Sequence, residues 1–75
     1  MKCVVKLIWS DESNSWYCTS DDIPGLVLGS NSFDALITKI RIAAPEILEL
    51  NCNYKGPIQL SFESERVDSI NEMVS

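Results

Sequence analysis

One run of alternating polarity, two short strand-like runs bounded by turn residues, one long apolar stripe at helical spacing and a last alternating run predict an α+β fold in the order β-β-β-α-β. The 75 residues suffice for one domain. One helix on a four-stranded mixed sheet makes a two-layer sandwich, in which the helix covers one sheet face. A helix between the third and fourth strands lets the fourth lie parallel to one of the first three.

The first strand is Lys2 to Ser10. Cys3, Val5, Leu7 and Trp9 point one way; Lys2, Val4, Lys6, Ile8 and Ser10 point the other. Asp11-Glu12-Ser13-Asn14 is a turn cluster, and Ser15 to Ser20 reads as a second strand. A hairpin that sets Trp9 beside Trp16 puts Cys18 near Leu7. Pro24-Gly25 marks a turn, since Pro fixes φ and Gly permits a positive one. Leu26-Val27-Leu28 is then a short third strand closed by Gly29.

Ser32 is a good N-cap, and Asp34 suits the positive end of the helix dipole; with no Glu or Gln at position 35 the capping box is incomplete. Phe33, Leu36, Ile37, Ile40, Ala43, Ala44, Ile47 and Leu48 form the apolar stripe, and Ile42 lies off it. Pro45 has no N–H for the Arg41 carbonyl, and its ring clashes with that carbonyl. A kink or break is therefore predicted near Ala43–Ala44, with Pro45 opening a short second helix through Leu50 and Asn51 stopping it. Ile58, Leu60 and Phe62 alternate with Gln59, Ser61 and Glu63 as the fourth strand. The domain is expected over residues 1–64. Residues 65–75 form a tail, a short helix or a frayed end, with Val67, Ile70 and Val74 at helical spacing.

Charge and residue types narrow the function. Eleven Asp and Glu stand against six Lys and Arg, for a formal charge of −5, and there is no His. A Ser-His-Asp triad, a Cys-His pair and any His-ligated metal are excluded. An acidic chain with scattered bases is a poor phosphate-backbone binder, and suits a basic protein partner through long-range steering. Cys3, Cys18 and Cys52 show no C-x-x-C spacing, so they are expected as free thiols in a reducing, cytoplasmic setting. The N-terminus has too short an apolar run for a signal peptide, and no stretch approaches a membrane span of about 20 residues.

Asp11/Glu12, Asp21/Asp22 and Glu63/Glu65 are the acidic pairs that a metal-dependent nuclease would use. None has an evident third ligand, so no metal, cofactor or catalytic residue is expected. Asp22, two residues before Pro-Gly, reads first as a turn-shaping carboxylate and second as a recognition group. Trp9 and Trp16 read first as packing residues, and Trp16 second as an interface anchor. A chain this short buries only about 60 % of its unfolded surface. Val4 and Ile8 on the second face of the sheet, with the off-stripe Ile42, are thus candidates for burial in a homodimer or higher oligomer.

The run from Trp16 through Asp21-Asp22-Ile23-Pro24-Gly25-Leu26, followed by Gly29-Ser30-Asn31-Ser32-Phe33-Asp34-Ala35-Leu36, resembles the core of the HicB antitoxins. Pro45-Glu46-Ile47-Leu48-Glu49-Leu50-Asn51 is similar to a short, single-domain, uncharacterised branch of that group. The resemblance implies a partial RNase H-like fold and a non-enzymatic module that binds and blocks a small basic toxin RNase of the HicA type. HicB proteins usually add a C-terminal DNA-binding segment. Only thirteen residues follow Phe62 here, so direct DNA binding is not expected of this chain. On this reading Glu12, Asp21 and Asp22 supply charge toward the toxin, and Trp16 and Tyr17 supply contact area. The alternatives are an orphan structural or regulatory oligomer with the same fold, and a small metal-dependent nuclease.

Overall fold

The computed structural model describes residues 1–66, arranged as β1 (Lys2–Ser10), β2 (Ser15–Thr19), β3 (Leu28–Ser30), α1 (Phe33–Cys52) and β4 (Gln59–Arg66). The α+β order β-β-β-α-β is as the sequence predicts. The sheet runs β3-β2-β1-β4. β1 pairs antiparallel with β2, placing Leu7 opposite Cys18 and Trp9 opposite Trp16, and parallel with β4, from Lys2–Gln59 to Trp9–Arg66. The expected register of the first hairpin is therefore the one observed.

The core lies between the helix and one sheet face. Cys3, Val5, Leu7 and Cys18 from the sheet meet Leu36, Ile40, Ala44 and Leu48 from α1, all buried. Those four helix residues are spaced by four, the centre of the predicted stripe; Phe33, Ile37, Ala43 and Ile47 flank it, half-buried. The Trp16 ring meets Trp9 edge-on at 5.4 Å and Phe33 at 4.9 Å, closing one end of the core. Two further buried residues, Ile23 and Leu26, come from the loop after β2.

Ser32 caps α1 as expected: its Oγ accepts the Ala35 N–H at 3.3 Å. The helix does not break at Pro45. It runs as one element to Cys52, so the separate second helix is not formed. Only the Arg41 carbonyl loses its partner, and both Arg41 and Pro45 are exposed, where water can serve instead. Leu48, fully buried and worth about 1.5–3 kcal/mol, with Ala44 and the half-buried Ile47 beside it, offsets a proline defect of about 3 kcal/mol. The helix also outlasts Asn51. Asn53, at φ 52°, is the left-handed cap, and the N–H groups of Asn53 and Tyr54 turn back to the Leu48 carbonyl.

β3 lies two residues later than the expected Leu26-Val27-Leu28. Ile23 to Leu26 form a turn closed by the Leu26 N–H on the Ile23 carbonyl at 3.2 Å, with Gly25 at φ 86°. That is the type II pattern, with Pro at its second position and Gly at its third. Because Leu26 is buried by the turn, pairing with β2 starts only at Leu28, and Gly29 falls within the strand. β4 runs to Arg66 rather than Glu63, following β1 through eight consecutive pairs. Residues 65 and 66, assigned to the tail by sequence, thus belong to the sheet; the helical spacing of Val67, Ile70 and Val74 lies outside the described residues.

Asn51 Nδ2 donates to the Pro24 carbonyl at 2.9 Å, tying the helix to this turn, and a Cβ at Gly25 would lie 3.0 Å from that nitrogen. Gly25→Ala therefore forces both a left-handed alanine and a displaced Asn51. It is expected to lower stability by about 1–3 kcal/mol, read as a reduced urea midpoint with unchanged slope.

The thiols divide by burial. Cys52 is exposed, whereas Cys3 and Cys18 are buried and free. Burial pushes both thiols above the ordinary thiol value, and the nearby Asp22 carboxylate adds to the effect at Cys3. Folding thus favours the protonated thiols. Their contribution is constant below the unfolded pKa and is lost as pH rises through and beyond it, where only the unfolded chain ionises. A thiol reagent is expected to label one cysteine in the native protein and three in denaturant. The urea midpoint is expected to fall between pH 8 and pH 10, less steeply in a Cys3→Ala, Cys18→Ala variant, about 8.5 being the usual thiol pKa.

Candidate functional site: an acid-rimmed sheet face

The helix covers only one face of the sheet. The opposite face carries Lys2, Val4, Lys6 and Ile8 from β1, Tyr17 and Thr19 from β2, and Ser61, Glu63 and Glu65 from β4. The registers align them in rows. Gly29, Tyr17, Ile8 and Glu65 cross all four strands in one row; Thr19, Lys6 and Glu63 form the next. No side chain stands at Gly29, so Tyr17 presents its ring at the β3 side with 41 % of its surface exposed. Val4 and Ile8 are half-buried between their polar neighbours.

At one end this face deepens into a hollow of about 270 Å³ lined by Val4, Lys6, Thr19, Ser20, Asp21 and Asp22. Its floor is built from a deficit. β2 pairs with β1 only from Lys6 onward, so the N–H and C=O of Val4 point toward a strand that is absent there. Two side chains replace it. Asp22 Oδ2 accepts the Val4 N–H at 2.7 Å, and Ser20 Oγ donates to the Val4 carbonyl at 2.6 Å. The Asp22 N–H in turn donates to Ser20 Oγ at 3.2 Å. Asp22 thus shapes the backbone, as its first sequence reading has it, but across eighteen residues rather than within its own turn. Asp21, exposed at the mouth, has no such duty.

The sequence-derived candidates do not converge on one spot. Asp21 and Asp22 sit at one end of β2 and Glu12 in the hairpin turn at the other. Trp16 and Tyr17 point to opposite faces, Trp16 into the aromatic cluster beside α1 and Tyr17 onto the open face. Asp11 Oδ1 accepts from Trp9 Nε1 at 2.6 Å, which fastens the hairpin tip. Val4 and Ile8 share the open face, but Ile42, 64 % exposed, is on the helix layer, so one flat contact cannot cover all three. Sequence reading missed Ser20, whose role depends on where β2 stops. It also missed the Gly29 gap beside Tyr17. Among the described residues no three of Cys, Asp and Glu are grouped to hold a metal ion. Among them, too, no helix is long and apolar enough to cross a membrane.

A family model described as a domain of unknown function, DUF1902, matches residues 2–73. The chain belongs to that family. This DUF1902 domain is also similar to a solved structure, the hypothetical protein TTHA1013 from the extremely thermophilic bacterium Thermus thermophilus. The two superpose with a TM-score of 0.79 at 30 % identity, over 93 % of this chain and 100 % of the other. No curated protein matches the chain. In this DUF1902 domain the open face combines Tyr17, Val4 and Ile8 with four carboxylates, Asp21, Asp22, Glu63 and Glu65, against Lys2 and Lys6. Such a surface can hold a protein that meets Tyr17 and Ile8 with apolar side chains and the carboxylates with basic ones.

Asp22→Ala leaves the Val4 N–H without its acceptor. It is expected to cost about 1–2 kcal/mol, seen as a lower Tm and as faster amide exchange at Val4 than at Leu7.

Proposed function

We propose that this DUF1902 domain is a HicB-like antitoxin module without catalytic activity of its own, which binds and neutralises a small basic toxin RNase of the HicA type. The observation that carries the reading is the uncovered sheet face, where Tyr17 and Ile8 lie side by side, with Val4 beyond Lys6, among the carboxylates of Asp21, Glu63 and Glu65. Its charge is complementary to a basic ribonuclease, and the formal −5 of the whole chain speeds encounter with one. Supporting it further is the resemblance of the segment around Asp21-Asp22-Ile23-Pro24-Gly25-Leu26 to the HicB core.

On this reading the roles shift from those the sequence suggested. Tyr17 is the central contact, with Ile8 beside it and Val4 two rows away beyond Lys6. Asp21 and the β4 glutamates steer the toxin, Asp22 holds the floor, and Trp16 supports the sheet from behind. The module works in the cytoplasm, where Cys3, Cys18 and Cys52 remain thiols. Its acidity leaves DNA to other chains.

Co-expression with a HicA-type toxin is the test. Rescue of growth and co-purification of the two chains are expected. Tyr17→Ala is expected to weaken the complex by about 2 kcal/mol, roughly thirtyfold. Asp21→Lys is expected to slow association and to flatten its salt dependence. Toxicity that persists beside abundant, folded protein, with no toxin co-purified, would sink the proposal.

A further inference from the structure

The outer edge of β4 is the longest stretch of sheet backbone that no described strand pairs with. β4 borders the sheet, with β1 on its inner side. The Gln59 N–H points inward, donating to the Met1 carbonyl at 2.7 Å. Backbone groups alternate in direction along a strand, so Leu60, Phe62 and Ser64 aim their N–H and C=O outward. Natural sheets blunt such edges with Pro, with charged side chains, Lys above all, or with a bulge, or keep them short. β4 has eight residues, no Pro, Gly or Lys, and an unbroken register against β1; its charges, Glu63, Glu65 and Arg66, lie in its second half. β3, the other edge, has three residues.

The helix-facing side of the same strand is incompletely covered. Ile58, Leu60 and Phe62 are half-buried, and with Arg41 and Pro45 they line a groove of about 350 Å³. An unpaired edge and an apolar groove thus run along one strand.

We propose that this edge pairs antiparallel with β4 of a second copy of the chain, in a register centred on Phe62. A two-fold axis normal to the sheet keeps both helices on one side, so only residues of equal parity can oppose each other. Two such registers overlap the strands most fully. One is centred on Glu63 and sets that carboxylate against its own copy, which is repulsive. The other is centred on Phe62. It opposes Ser61 to Glu63 and Gln59 to Glu65 on the open face, and Leu60 to Ser64 on the helix side, with no like charges face to face. The outward groups of Leu60, Phe62 and Ser64 then exchange hydrogen bonds with Ser64, Phe62 and Leu60 of the second copy. The two Phe62 side chains meet at the axis and join both grooves into one apolar seam. The pairing uses the strand's edge and leaves the open face free. Its failure leaves the capture of a basic partner standing, and the reverse also holds.

The test reads the register. In a Cys52→Ser background, Ser61→Cys and Glu63→Cys are made as separate chains, then mixed and mildly oxidised. Opposed residues have Cβ atoms about 4.5–5.5 Å apart, close to disulfide reach. The mixture is expected to form covalent dimers, whereas each variant alone has its two sulfurs offset by two residues and stays mainly uncrosslinked. Dimers from either variant alone in equal yield would overturn the register. A monomer at submillimolar concentration by sedimentation, with no crosslink in the mixture, would overturn the dimer. Ser64→Pro deletes only an outward N–H and leaves the bonds to β1 intact. With circular dichroism unchanged it is expected to sediment as a monomer, and a dimer that survives it would equally refute edge pairing.

Discussion

β1 has nine residues and two neighbours, and one neighbour is too short for it. β2 meets it over five pairs, which leaves the N–H and C=O of Val4 directed at empty sheet. Unpaired backbone groups in a strand that also carries the core are costly, so something other than a strand has to meet them. Ser20 and Asp22 do so. Holding them there sends the chain across the end of the sheet, where Ile23 and Leu26 drop into the core and Pro24-Gly25 reverses direction. Asn51 then fastens the end of the helix to that reversal. The hollow on the open face, the late start of β3 and the position of α1 follow from one missing stretch of strand.

The architecture was readable because its signals are local. Alternation marked β1, the turn cluster after it marked the start of β2, and the two tryptophans opposite one another set the hairpin register. A four-residue spacing marked the buried line of α1, and Ser32 marked its start. Boundaries were misread wherever a distant partner decides them. Leu26 looks like the first residue of a strand, but the turn buries it. Asn51 looks like a helix stop, but its side chain is committed to Pro24, and Asn53 takes the left-handed position. Pro45 looks like a break, yet the buried side chains on both sides of it keep one helix in place. The candidate site was less legible than the fold. Residue type alone grouped Trp16 with Tyr17, and strand parity separates them. Val4 and Ile8 were visible as an uncovered face, whereas the acids that border them come from a loop and a strand far apart in sequence.

The proposed binding surface and the proposed seam between copies use different properties of the same sheet. One uses side chains on a face, where aromatic and aliphatic groups lie among carboxylates. The other uses the backbone of an edge. Occupying one does not block the other, so a toxin-bound dimer with two equivalent faces is a coherent assembly. Ile42, exposed on the helix layer, lines neither the open face nor the groove along β4.

The parallel pairing of β1 with β4 also shapes how the molecule comes into being. Every partner of β1 on that side lies fifty-seven residues later, from Lys2–Gln59 to Trp9–Arg66. The first hairpin and the helix need only nearby chain and can form early. The central strand, however, keeps one edge open until nearly all of the described chain has been made. Closing so long a loop carries an entropic cost before any contact repays it, and topologies of this kind fold slowly for their size. During synthesis the growing chain therefore passes through a stage with Cys3, Val5 and Leu7 on a strand with one bare edge, which makes the interval before β4 docks the one most exposed to aggregation.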